Sequence, residues 1–239
     1  MRHYIIFFSF LLMCISMHAQ TNVGSVVPPI DSTFTAKLTG EFFYESKQYI
    51  GVQNFNENWA QSDILLSTGE MIYNVSLKYN GLFDEVIWMN TSNFGKFKLD
   101  KSFIKEFWLK YEPSFPNHFK RINVSEPDKS HQPDIFVEVC TEGKISLYIQ
   151  RRIRVSGTET IYRNDAYRNF ESLESSPVYY IKLPSNQYLK LNRIRRRTFL
   201  KLFPDKKKAI TKIMNANNLD VKVEGDFVKL IELMGKELF

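Results

Sequence analysis

The stretch "NENWAQSDILLSTGEMIYNVSLKYNGLFDEVIW", Asn56 to Trp88, decides the fold class. In "MIYNVSLKY", Met71, Tyr73, Val75, Leu77 and Tyr79 alternate with Asn74, Ser76 and Lys78, the period of two that buries one face of a strand. "DILLS" precedes it at hairpin spacing, and Gly69 sits between the two in a Thr68-Gly69-Glu70 turn. The two segments are therefore expected to pair antiparallel. "GLFDEVIW" continues through a loop into the start of a third strand.

The same signals recur on the C-terminal side. In "DIFVEVCTEGKISLYIQRRIRV", Ile135, Val137 and Val139 lead to a turn at Gly143, and Ile145, Leu147, Ile149 and Ile153 return from it. A third pair, "VYYIKL" and "YLKLN", turns at Pro184-Ser185-Asn186-Gln187. Connections this short exclude parallel crossovers, so residues 34–192 are predicted to form an antiparallel, curved β-sheet domain, in one piece or two sub-sheets. Within it, residues 112–134 carry no periodicity and read as one long loop. From Asn192 the period lengthens. Asn192 can cap a helix beginning at Arg193, Pro204 can open a second with Ile210, Ile213 and Met214 on one face, and Phe227, Leu230, Ile231, Met234 and Leu238 mark a third. Residues 193–239 thus form a small helical unit of two or three helices packed on the sheet, and the fold class is α+β.

The first nineteen residues have the anatomy of a secretory signal peptide: Arg2 and His3, an apolar run from Tyr4 to Ser16, and Ala19 at the cleavage point. The run is shorter than the about 20 apolar residues a bilayer span needs, and no later segment supplies a transmembrane span. Acylation at Cys14 is disfavoured by bulky Met13 where a small residue is wanted. Residues 20–33, with Pro28 and Pro29, read as a flexible leader. The mature chain is therefore expected in the periplasm or cell envelope, or outside the cell. Losing Arg2 leaves 31 basic residues of 32 against 26 acidic ones, a charge of +5, which suits an acidic partner. Only Cys140 then remains, so stability must come from burial and not from an intrachain disulfide.

Asn56, Glu57, Trp59, Gly69, Leu77, Lys78, Tyr79, Asn80 and Asp84, with "YYIKL", "FLKLFPDKKKAI" and "DFVKLIEL" towards the C-terminus, carry a resemblance. The chain resembles a group of uncharacterised exported, signal-peptide-bearing proteins of the Bacteroidetes. It departs from their pattern at Ser62, where they have glycine, and at Thr68, where they have a turn Asp or Asn. The resemblance implies a fold and a compartment, with no activity attached. By their own chemistry Asn80 and Asp84 are suited to tying a loop to nearby backbone amides.

Groups for catalysis are few. His118 and His131 survive processing and share the long stretch with Asp128 and Asp134, without the tight spacing of a metal motif. "SFIK", Ser102 to Lys105, matches Ser-x-x-Lys but lacks the companion elements of that enzyme class. No cofactor and no metal is expected. Binding leaves clearer traces in two arginine clusters: Arg151, Arg152 and Arg154, then Arg193, Arg195, Arg196 and Arg197, followed by Lys206 to Lys208. Arginine forks fit phosphate and carboxylate, so the expected partner is an anionic glycan, a lipid head group or an acidic envelope protein, and not nucleic acid. Strand alternation places Arg151 on the face of Ile149 and Ile153, at a sheet edge or in a pocket. Trp59, Trp88 and Trp108 are candidates for a sugar platform, with core packing the plainer alternative. The expected function is a non-catalytic binding or assembly component of the envelope. The alternatives are a glycan or peptidoglycan hydrolase, which needs converging carboxylates, and a structural subunit that pairs through a sheet edge.

Overall fold

The computed structural model describes residues 38, 40–44, 49–112, 115–124, 134–163 and 165–239. The signal peptide, the leader, Cys14, Asp128 and His131 lie outside these. The strands are β1 (Gly40–Phe42), β2 (Tyr49–Ile50), β3 (Ala60–Leu66), β4 (Met71–Asn80), β5 (Glu85–Met89), β6 (Lys96–Leu99), β7 (Ile104–Lys110), β8 (Asn117–Asn123), β9 (Asp134–Thr141), β10 (Ser146–Gln150), β11 (Ile153–Arg163), β12 (Ala166–Ser175), β13 (Val178–Lys182) and β14 (Tyr188–Leu191). Three helices follow: α1 (Arg196–Lys201), α2 (Lys207–Ala216) and α3 (Glu224–Glu237).

Eleven strands form one open, curved sheet in the order β1-β6-β5-β4-β3-β7-β8-β9-β10-β13-β14, with every neighbouring pair antiparallel. The stretch from Asn56 to Trp88 supplies its centre. From β3 the chain meanders outwards to β6, returns to lay β7 on the free side of β3, and meanders the other way. The curvature is strong enough that Asp84, between β4 and β5, accepts a hydrogen bond from the Phe136 N–H of β9 at 3.2 Å. The concave side is filled by aromatic rings: Phe107 and Phe119 stack at 4.9 Å, and Tyr79 lies 5.0 Å from Phe119.

The turn at Gly69 forms as predicted, with a φ of +89° that glycine adopts freely. Alternation fails inside β4, however. Ser62 pairs with Val75 and Ile64 with Ile72, so Tyr73 and Asn74 together oppose Asp63 in a bulge. The bulge turns Tyr73 out to 54 % exposure and buries Ile72 in its place. Asp63 stabilises it by accepting from the Asn74 N–H at 3.1 Å. Ser62 lies inside β3, fully buried, and its hydroxyl donates to the Ala60 carbonyl at 2.9 Å.

The expected long loop at 112–134 is also corrected, because β8 crosses it and buries Phe119 and Ile122. His118 therefore stands on a strand, stacked on Trp108 at 4.7 Å with Nε2 2.8 Å from Glu106.

The helical unit covers the same face as the Phe107 and Phe119 rings, further along the sheet at β10, β13 and β14, since Phe119 opposes Glu138, Glu138 opposes Ile149 and Ile149 opposes Tyr179. Phe199, Phe203, Ile213, Phe227, Leu230 and Ile231 pack against Leu147, Ile149, Tyr179 and Ile181. Tyr148, Val178 and Tyr180, on the other face of the same strands, join Val137 in a separate cluster. Both faces of β10 are thus covered and all its residues are buried. Helix starts differ from expectation. Arg195 precedes α1 in an extended conformation, so the first turn begins three residues after Arg193 and Asn192 does not cap it.

β11 and β12 leave the main sheet as a ribbon, and near its root β12 pairs in parallel with the two residues of β2. At the root, the Ile153 N–H donates to the Gly81 carbonyl at 2.9 Å. Gly81 is required there because a Cβ would collide with the Arg151 carbonyl oxygen. Among the described residues no helix is long and apolar enough to cross a membrane.

Candidate functional site

Six of the seven arginines singled out in the sequence separate into three pairs, and Arg195 stands apart. Arg151 and Arg152 are occupied by the protein itself. Arg151 Nε donates to Glu138 on β9 at 2.5 Å, while Nη1 and Nη2 grip both oxygens of Glu224 on α3 at 2.9 and 2.7 Å. Tyr179 Oη adds a hydrogen bond to Glu224 at 3.2 Å. These carboxylates hold Arg151 charged, above even its ordinary value, against a desolvation that pulls it down. The sheet-edge or pocket position expected for Arg151 is corrected accordingly: it is an internal bridge between sheet and helical unit. Arg152 Nε donates to the Ser176 carbonyl at 3.3 Å and clamps the root of the ribbon.

Arg154 and Arg193 come together in a second place. They line a cleft of about 280 Å³ with Glu174, Ser175, Ile194 and Lys222. The cleft lies where the ribbon root, the connection from β14 to α1, and the link between α2 and α3 converge. Arg154 Nε donates to Glu174 at 2.7 Å across the ribbon.

Arg196 and Arg197 belong to a third and larger concavity, a groove of about 720 Å³ lined with them by Leu200, Lys201, Pro204 and Lys207. α1 supplies one wall, and the turn at Pro204 brings the first residue of α2 to the other. Among the described residues none of these four cations meets a carboxylate, and Arg196 Nη2 reaches only the Asn215 amide oxygen, at 3.5 Å. Arg195 is exposed just before α1 and lines neither concavity. Lys207 belongs to the lysine run that the sequence displays, and Lys201 lies one helical turn from Arg197. Glu174 and Lys222 carry no local signal that could have marked them.

Other candidates resolve into structure. Asp84 is buried, accepting from Tyr79 Oη at 2.7 Å, Lys101 Nζ at 2.6 Å and the Phe136 N–H. Burial pushes its carboxyl up to about 6 even though Lys101 and these donors pull it down. Asn80 Oδ1 accepts from the Leu82 and Phe83 N–H groups at 3.0 and 3.2 Å. Both residues tie loops to backbone amides, as their chemistry implies. Ser102 donates its N–H and hydroxyl to Asp100 at 2.8 Å, which closes a short 3-10 turn. The tryptophans are dispersed: Trp59 lies under Lys78, Trp88 packs on Phe97 and Trp108 on His118. Among the described residues no three potential metal ligands cluster. No family model, curated protein or solved structure matches the chain.

Proposed function

We propose that the protein is a non-catalytic binding component of a bacterial envelope, and that it recognises an anionic ligand in the groove between α1 and α2. The observation that carries this reading is the set of four cations, Arg196, Arg197, Lys201 and Lys207, arranged around Leu200 and Pro204 with no carboxylate in the lining. Lysine at the first turn of α2 opposes the helix dipole and costs helix stability. An anion in the groove offsets both that cost and the mutual repulsion of the cations. Guanidinium forks and ammonium groups fit phosphate and carboxylate oxygens, while Leu200 and Pro204 accept an adjoining apolar portion. Lipid head groups, anionic glycans and acidic protein faces share this chemistry. The compartment rests on the signal-peptide anatomy of residues 1–19 and on the resemblance to exported Bacteroidetes proteins. Neither concavity brings two carboxylates together, the arrangement that a glycan hydrolase requires.

The test is sedimentation of the protein with vesicles, one set containing an anionic phospholipid and one purely zwitterionic, for wild type and an Arg197→Ala/Lys207→Ala double variant. Wild type is expected to sediment with the anionic vesicles alone, and the variant to remain in solution. Equal behaviour of the two proteins on every vesicle sinks the lipid form of the reading. Repeating the comparison with an anionic oligosaccharide then decides whether the groove recognises anions at all.

A second reading, an assembly subunit, is favoured by the ribbon. Tyr162 and Tyr167 stand 60 % and 77 % exposed near its tip, and among the described residues β11 pairs along one side only. An edge of this kind is a template for an extended segment of a partner. Crosslinking through a cysteine placed at Thr158 would recover such a partner, and recovery of none in intact cells would leave the ribbon without that role.

A further inference from the structure

We propose that the cleft at the root of the ribbon is a binding site for a single acidic sugar residue. This cleft shares no residue with the groove between α1 and α2, and the inference stands whether or not that groove binds a ligand.

The chemistry of the lining selects the ligand class. Arg193 and Lys222 are exposed and meet no carboxylate among the described residues, so the cleft has two free cationic arms. Glu174 faces the same space. It holds Arg154 through one oxygen, Oε1, and its other oxygen is left as an acceptor. Ser175 adds a hydroxyl that can donate or accept. A phosphate or polyanion would be attracted by the arms but repelled by Glu174, and a neutral sugar would leave both arms unused. A ligand with one carboxylate and several hydroxyls satisfies every group: its carboxylate meets Arg193 and Lys222, and its hydroxyls donate to Glu174 and exchange hydrogen bonds with Ser175. Ile194 and Pro177 also line the cleft and offer an apolar surface for the C–H face of a pyranose ring. Size limits the ligand further. At about 280 Å³ the cleft lies just below the range of drug-sized small-molecule sites, roughly 300–1,000 Å³, which leaves room for one ring.

Titration calorimetry of the full chain with methyl glucuronide, methyl glucoside and inorganic phosphate tests this. Wild type is expected to bind the glucuronide at least about tenfold more tightly than either of the others, a difference of about 1.4 kcal/mol. Arg193→Ala/Lys222→Ala, both exposed positions, is expected to lose that preference while keeping the melting temperature of wild type. Glu174→Gln is expected to weaken the glucuronide and strengthen phosphate. Arg197→Ala/Lys207→Ala in the other groove is expected to leave glucuronide binding unchanged, which separates failure of the two sites. Glucuronide binding that survives Arg193→Ala/Lys222→Ala overturns the proposal. So does phosphate binding as tight as the glucuronide, equal binding of the glucoside, or no heat from the glucuronide at concentrations on the order of 10 mM.

Discussion

In the sheet, charged groups face one another. Arg151 lies between Glu138 and Glu224, Lys101 meets Asp84 at 2.6 Å, and Lys110 meets Asp63 at 2.5 Å. In the helical unit the basic side chains of α1 and of the first turn of α2 stand around a groove with no acid in it. The helical unit is about twice as dense in arginine and lysine, with 12 in residues 193–239 against 19 in residues 34–192, and the two regions use them oppositely. Where the partners are internal the cation is part of the fold, and removing it leaves a carboxylate without its counter-ion. Where no partner exists the fold does not need the charge, so the charge is available to something outside the chain. Arginine clustering in a sequence therefore identifies ligand sites only after the acids of the same chain have been placed.

The sharpest way to break this contrast is at Arg151. Arg151→Ala strands Glu138, which is 7 % exposed, and frees Glu224, so a loss of about 3–5 kcal/mol is expected. Urea unfolding measures it, with Arg151→Met as the volume-matched control. A loss under about 1 kcal/mol would place Arg151 with the surface cations.

Asp84 gives the next largest effect. Its carboxyl is pushed up from 3.8 to about 6 in the folded protein, so the folded state holds the proton more tightly than the unfolded one. That contribution is complete below about pH 4 and is lost as pH rises through about 6. About two pKa units correspond to about 3 kcal/mol. Unfolding midpoints at pH 4, 5, 6 and 7 should trace this decline, and Asp84→Asn should flatten it.

Cys140 sharpens the comparison from another side. Burial and the nearby Glu138 push its thiol up to about 12, so a disulfide reagent at pH 8 should modify the native protein at least about a hundredfold more slowly than the urea-unfolded chain. Equal rates would mean that this corner of the helix-covered sheet opens freely. The smallest effect belongs to the groove. Arg197→Ala/Lys207→Ala should change the unfolding free energy by less than about 0.5 kcal/mol, in contrast to Arg151.

Much of the architecture is legible in the sequence because it depends on local order. The β3–β4 turn is marked by a glycine at hairpin spacing, and α3 by apolar residues three and four apart. What escapes is set by distant groups. The β4 bulge depends on Asp63, on the other strand, accepting from the Asn74 N–H. β8 is masked by Pro113, Pro116, Pro127 and Pro133 around it, although Phe119 and Ile122 are buried within it. The partners of Arg151 lie 13 and 73 residues away, so no spacing rule reaches them. The cleft at the ribbon root draws on three separate connections, and only its arginines stand out in the sequence.

β10 and β13 lie side by side in the main sheet, with Gln150 opposite Val178. The ribbon is therefore a detour whose two ends meet, closed at its neck by the Ser176 N–H and the Arg152 carbonyl at 2.8 Å. A short turn spliced across that neck would restore an ordinary hairpin, with the loss of the two-residue pairing of β2 and of the Ile153 N–H bond to the Gly81 carbonyl. The same neck could carry a longer or unrelated insert, since loop closure costs little more as a loop grows. The large sheet can thus keep its register while the appendage between β10 and β13 is exchanged, which makes this junction the natural point for grafting a new recognition module.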